Sequence, residues 1–185
     1  MNAMGFAIVV AVALAAIVAW WLRRRYLAPA RVLARRLRAI SADMLVNVII
    51  PDGMGGEIHV DHLLLTADGL LLLDFKDVRG TVFAGAQLDT WTAMEPGSRI
   101  TFDNPIPVLQ DRIAAVSRLA PDVPIHAQVV FEKDAEFPKG HPPTVITFDA
   151  LYEALAAKPD EGRRAAADVF GTQWAQIKAA AASGL

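Results

Sequence analysis

The sequence predicts a small α/β domain behind one apolar N-terminal helix, and three features of the chain predict it. An unbroken apolar run opens the sequence, strand-like segments separated by glycine-containing turns follow it, and amphipathic segments that begin with helix-start residues alternate with and follow those strands. With 185 residues, 54% of them hydrophobic, the chain holds enough for one domain with a core of its own, and a second full domain is not expected. Cysteine is absent, which excludes disulfides, thiolate metal sites and cysteine nucleophiles.

The first element is the run GFAIVVAVALAAIVAWWL from Gly5 to Leu22, which carries no charge. As a helix it measures about 27 Å at 1.5 Å per residue, close to the hydrocarbon thickness of a bilayer. Trp20 and Trp21 stand where an interfacial aromatic belt belongs, and Arg23, Arg24 and Arg25 follow at once. The expectation is a single-pass membrane anchor with its N-terminus outside and the following domain on the cytoplasmic side. A cleaved signal peptide fits less well, because the basic cluster follows the apolar run instead of preceding it. A buried core helix fits less well still, since no polar face marks those residues.

Charge divides the chain sharply. Seven arginines and no acid lie between Arg23 and Arg38, whereas the residues after them carry 11 basic against 20 acidic side chains, a net of −9. An acidic globular part argues against a strong sequence-independent grip on nucleic acid, which rests on Lys and Arg neutralising phosphates. The segment ARVLARRLRAI sets Val32, Leu33, Leu37 and Ile40 against Arg31, Arg35 and Arg38, a short basic amphipathic helix. It reads either as a helix lying against anionic headgroups or as the domain's first helix with solvated arginines. The expected organisation is a transmembrane helix and basic flank at 1–26, a basic juxtamembrane or first helix at 27–42, and a globular domain at 43–185.

Within that domain LVNVII, EIHVDHLLLT and LLLLDFK read as three successive strands, divided by PDGMGG and by the Asp68-Gly69 hairpin signal. The run Leu70 to Leu73 does not alternate, so its strand is expected in the sheet centre, buried on both faces. A short fourth strand is expected at Thr81 to Phe83, and Trp91 to Asn104 reads as loop with Trp91 as packing. Asn104 then serves as N-cap and Pro105 as first residue of a helix through PIPVLQDRIAAVSRLA. Strands at Ile125 to Phe131 and Thr144 to Thr147, and helices at Asp149 to Ala157 and Arg163 to Ala182, complete the chain.

One constellation carries chemistry. Asp74 and Lys76 lie two apart on a strand, so they leave the same face, and the hairpin brings Asp61 beside them. Two carboxylates and an ammonium at a strand end suit metal-assisted phosphodiester cleavage, the carboxylates holding Mg²⁺ and the lysine positioning or deprotonating the attacking water. An acid-x-Lys triplet alone is a weak signal and reads equally as a surface ion pair, but this one ends a very apolar strand, where sites of open sheets collect. His59 and His62 flank Asp61 and point to opposite faces of a strand, which reads as satisfied or solvent-facing histidines and not as ligands. Glu57 lies four residues from Asp61 along the strand, ~13 Å away, too far to share an ion.

The run DHLLLTADGLLLLDFKDVRGTVFAG, then Trp91, then NPIPVLQ with Asn104, Pro105 and Gln110, resembles the nuclease-related domain called NERD, a branch of the PD-(D/E)xK nuclease superfamily. The resemblance spans roughly Val46 to Leu119. It implies a restriction-endonuclease-like core, a mixed central sheet flanked by helices. It further implies Asp61 and Asp74 as Mg²⁺ ligands, Lys76 as catalytic lysine, Gln110 as an accessory site residue, and DNA or RNA as substrate. The chain departs from the family in its first helix, where a Gly-Glu pair is usual and ARVLARRLRAI has no acid. Two functions follow: a membrane-anchored metal-dependent nuclease, or a non-catalytic binding module whose acidic domain suits a protein partner.

Overall fold

The structure, a computed structural model, describes residues 12–13, 16–18, 20, 28–131 and 134–183. The apolar run expected to cross a membrane lies largely outside the described residues. Among the described residues no helix is long and apolar enough to cross a membrane.

The chain divides into two compact units, Met1–Ala39 and Ile40–Leu185. The first contains α1, Ala28–Ala39, with no acidic side chain and with Arg31, Arg35 and Arg38 exposed. Leu37 is buried and Val32 is not, contrary to the face expected from sequence. Five residues separate the two, which at 100° per residue places Val32 well round the helix from Leu37.

The second unit is built on two sheets. The larger contains β1 (Asp43–Pro51), β2 (Glu57–Thr66), β3 (Gly69–Lys76), β7 (Ile125–Phe131), β9 (Val145–Thr147) and β10 (Ala182–Ser183). Its order is β10-β1-β2-β3-β7-β9, antiparallel from β10 to β3 and parallel from β3 to β9. Helices α2 (Pro105–Leu119), α3 (Phe148–Ala156) and α4 (Asp160–Ala180) pack on it, so the α/β fold with a mixed, helix-flanked sheet expected from the sequence is the one observed. β3 lies between β2 and β7, and Gly69 to Asp74 are all buried, as expected of a leucine run covered on both faces.

Of the smaller sheet only the strand at Thr81 to Phe83 is expected from the sequence. The sheet runs β6-β5-β4-β8, with β4 at Gly80–Phe83, β5 at Thr90–Glu95, β6 at Ser98–Asp103 and β8 at Ala135–Glu136. The loop expected across Trp91 to Asn104 is therefore a hairpin, turning at Gly97 with φ 80°. Its alternation is masked because β6 is exposed at five of six positions and buries no residue, so no apolar face appears in its sequence. Trp91, fully buried, anchors the hairpin and donates from Nε1 to the Gly85 carbonyl at 3.0 Å. α4 begins three residues earlier than expected, at Asp160, with Asp160 and Glu161 in the first turn, where acids favour the helix dipole.

Three contacts fix the elements that carry the site. Asn104 caps α2, its Oδ1 accepting from the Ile106 amide at 3.0 Å while its Nδ2 donates to the Leu88 carbonyl at 2.8 Å. Trp174 of α4 donates to Asp43 Oδ2 of β1 at 2.7 Å. The β2-β3 turn is closed by Thr66 Oγ1, which donates to the Gly69 carbonyl at 3.0 Å.

Gly69 sits at φ 114°, and a Cβ there would lie 2.3 Å from the Pro124 carbonyl oxygen. That carbonyl accepts from the Leu70 amide at 2.9 Å, so it cannot withdraw without loosening the β3-β7 junction. Gly69→Ala is expected to destabilise the protein by about 3 kcal/mol through backbone strain and overlap, read from the midpoint of urea unfolding.

Candidate functional site

The site lies at the C-terminal end of β3, where the chain leaves the buried sheet centre. Antiparallel pairing matches His62 with Leu73 and Leu63 with Leu72, and the same register one step further sets Asp61 opposite Asp74. Like charges directly across a strand pair repel, so this placement needs compensation. Lys76 supplies one cation, its Nζ 3.0 Å from Asp74 Oδ2 and 3.2 Å from Oδ1. Arg112, two turns into α2, supplies another, with Nη1 3.2 Å from Asp74 Oδ1 and Nε donating to the His59 carbonyl at 2.8 Å.

The alternation of the strands changes at this level. Val60 belongs to the same core cluster as Leu63 and Leu65, and Val48 to the same cluster that Leu45 packs against, although strict alternation would part them. Asn47 stands in β1 opposite Asp61 with φ 52°, the left-handed region. Non-glycine residues held there carry strain and collect at functional sites.

Electrostatics separate the two carboxyls. Burial raises the Asp61 carboxyl above its ordinary value, and the hydrogen bond and charge of Asp74 raise it further, against the pull of Arg112 and His59. Burial acts to raise Asp74 too, but the hydrogen bond from Asp61, then Lys76 and Arg112, outweigh it and hold that carboxyl below the ordinary range. The pair thus keeps Asp74 charged and makes Asp61 the member that takes up a proton.

Among the described residues, no three His, Cys, Asp or Glu side chains are arranged to hold a metal ion. Mg²⁺ does not require three, because it is commonly held by one or two carboxylates while water and substrate phosphate oxygens fill its octahedral shell. Both carboxyls offer the hard oxygens that such an ion takes, on adjacent strands, and both Asp74 oxygens already meet cations of the chain, Oδ2 meeting Lys76 Nζ at 3.0 Å and Oδ1 meeting Arg112 Nη1 at 3.2 Å. Arg112 Nη1 is buried, and its contact with Asp74 is an ion pair only.

A family model described as nuclease-related domain, NERD, matches residues 27–132, more than half of the 185. The chain belongs to the nuclease-related domain family. No curated protein and no solved structure matches it. The NERD stretch includes every residue named above as lining the site.

The structure brings Asp61, Asp74 and Lys76 together, as the strand register predicts. Gln110 is exposed on α2, two residues before Arg112 and about 200° from it around the helix, so Arg112 is the α2 residue whose side chain meets the pair. Sequence reading passed over Arg112. Its signal is its position three residues after Leu109 and four before Val116, both buried, a charged group in the apolar stripe of the helix. Such a residue requires a buried partner. Glu57 is exposed at the start of β2 and contributes nothing.

The two histidines differ: His59 is hydrogen-bonded, whereas His62 Nδ1 is buried with no hydrogen-bond partner among the described residues. His59 pairs through Nε2 with Asn47 Oδ1, and its Nδ1 lies 3.2 Å from Asp61 Oδ1. His62 packs edge-on against Phe75, ring centroids 4.9 Å apart, and burial pushes its pKa down from 6.5 to about 4. Between those values the unfolded chain binds a proton that the native state refuses. His62 therefore subtracts stability as the pH falls from 6.5 towards 4 and has no such effect above 6.5. In His62→Leu this part of the acid loss is expected to vanish, so the gap between variant and wild type in urea unfolding widens in the variant's favour below pH 6.5.

Proposed function

We propose that this chain is a metal-dependent phosphodiester hydrolase acting on DNA or RNA through a restriction-endonuclease-like core, with Mg²⁺ held by Asp61 and Asp74. The observation that carries this reading is the pairing of two carboxyls across β2 and β3, with Lys76 beside Asp74 at the end of the same strand. An ion held there would lower the pKa of a bound water and polarise a phosphoryl oxygen. The chain's own residues divide the remaining work. Asp74, kept ionised by Lys76 and Arg112, is the fixed anionic donor. Asp61, whose carboxyl lies higher, is the group that exchanges a proton. Lys76 lies part-exposed at the strand end, placed to orient the attacking water or a phosphate oxygen.

The first helix without an acid and the net charge of −9 beyond Arg38 favour a second reading, a NERD domain kept as a protein-binding module. One experiment separates the two. In calorimetry of the full chain with Mg²⁺ or Mn²⁺, followed by DNA and RNA cleavage on the same samples, the hydrolase binds the ion and cleaves, and Asp74→Asn loses both. Wild type that binds no ion at millimolar concentration and leaves both nucleic acids intact is the module.

Localisation is part of the same proposal: residues 5–22 anchor the chain in a bilayer, with Arg23, Arg24 and Arg25 and the domain on the cytoplasmic face. Deleting residues 1–26 is expected to move the protein from the membrane pellet to the supernatant after high-salt washing. A deletion variant that still sediments with membranes overturns the anchor.

A further inference from the structure

We propose that β6 is the seam of a symmetric dimer: its free edge pairs antiparallel with the β6 of a second copy of this chain, centred on Thr101, with Arg99 opposite Asp103 of the other copy. The inference concerns a surface away from the carboxyl pair and stands whichever function that pair serves.

Backbone geometry comes first. β6 ends the smaller sheet, with β5 on one side and no strand on the other among the described residues. The Asn104 amide donates to the Asp89 carbonyl, one step beyond the pairing of Asp103 with Thr90 in the β5-β6 register. Hydrogen-bonding direction alternates along a strand, so Phe102, Ile100 and Ser98 turn their amides and carbonyls towards β5. Asp103, Thr101 and Arg99 turn theirs outward. Such a row of open groups invites another strand, and proteins commonly block it with proline, lysine, a bulge or a covering element. β6 has no proline, no lysine and an unbroken register, and five of its six residues are exposed.

Side chains then select the occupant. Arg99 and Asp103 leave the same face of β6, and neither side chain has a hydrogen bond or ion pair among the described residues. A two-fold axis perpendicular to an antiparallel pair makes one residue face its own copy. With Thr101 in that place, Arg99 meets Asp103 on both sides of the axis, Thr101 meets Thr101, and Ile100 meets Phe102. Opposite charges, paired threonines and an aromatic beside a β-branched residue are all stabilising cross-strand pairs. Ile100, 47% exposed, is then covered by the ring that in its own chain lies edge-on to Trp91. Centring on Ile100 instead sets Arg99 against Thr101 and Asp103 against Gly97, and centring on Phe102 sets Arg99 against Pro105. Neither joins the charges. The strand is complementary to itself in one register, which commits the edge to a second copy and not to an unrelated strand.

A strand seam is smaller than a standard interface, so a dissociation constant of order 10 µM is expected. The measurement is sedimentation equilibrium of the full chain in mild detergent, at about 150 mM salt to screen the −9 charge beyond Arg38. Arg99→Asp sets acid against acid at both ends of the seam and is expected to weaken the dimer roughly tenfold, as is Asp103→Arg. The double variant Arg99→Asp, Asp103→Arg restores the pairing and is expected to return close to wild-type affinity. Position is read separately, because the chain has no cysteine of its own. Thr101→Cys brings two thiols to Cα atoms about 5.5 Å apart, within disulfide reach. Under mild oxidation it is expected to cross-link at least fivefold more than Ser98→Cys, whose copies lie ~20 Å apart along the seam.

Wild type that stays monomeric at about ten times the expected dissociation constant overturns the inference, and this result needs no variant to fold. A dimer indifferent to Arg99→Asp, or one that cross-links equally at 98 and 101, has its seam elsewhere, in the apolar N-terminal run or on another face, and overturns it too. Weakening in Arg99→Asp that the double variant fails to restore overturns the register.

Discussion

The antiparallel pairing of β2 with β3 is the constraint on which the rest depends. It is fixed by a two-residue turn at Ala67 and Asp68, closed by Thr66 and made possible by Gly69 in a backbone region that side chains avoid. Once Leu63 meets Leu72 and Leu65 meets Leu70, Asp61 and Asp74 have no choice but to face each other. Leucines fill both faces of this pair and would still face leucines after a slip of one residue, so it is the tight turn that holds the register, and the register that enforces the carboxyl pair. The repulsion this creates is the cost of the site, and it is borne by burial of a strand that is covered on both faces.

Compensation comes from α2, and the route by which α2 is placed matters. Asn104 joins three tasks: it caps the helix, ties the loop at Ala86 and Leu88 through its Nδ2, and is itself buried. The capped helix then seats Leu109 and Val116 in the core, and Arg112, between them on the same face, is carried to Asp74. Because Arg112 also bonds the His59 carbonyl, one side chain links the backbone of β2 to the carboxylate of β3. The smaller sheet contributes through Trp91, whose buried ring stacks near Phe131 at the end of β7, next to Lys76 in the ladder.

Much of this was legible in the sequence, and the reasons are physical. The long strands of the larger sheet, β1, β2, β3 and β7, announced themselves by apolar runs and by turn residues, and the pairing of Asp61 with Asp74 followed from counting along a hairpin. The N-cap at Asn104 and Pro105 followed from the chemistry of a helix start. The β5-β6 hairpin did not show, because β6 buries none of its residues and an exposed strand has no apolar period. β8 and β10, two residues each, are set by their neighbours in space and carry no local signal. Arg112 escaped for a different reason. Its role depends on which turn of α2 faces the strand end, and that is a tertiary fact, although a lone charge within an apolar helical stripe was there to be seen. Asn47 in its left-handed conformation lies deeper still, since nothing in LVNVII marks a strand interrupted at its middle.

The missing first-helix acid now takes on a definite meaning. A third carboxylate would shift a set of two acids and two bases towards net negative charge. Without it Lys76 and Arg112 balance Asp61 and Asp74, and the cluster is held together by the chain's own ion pairs, with Asp74 buried between its two cations. The net charge of −9 beyond Arg38 works against a grip on nucleic acid through its phosphates, so any recognition of nucleic acid by this domain has to overcome the charge of the chain around the site.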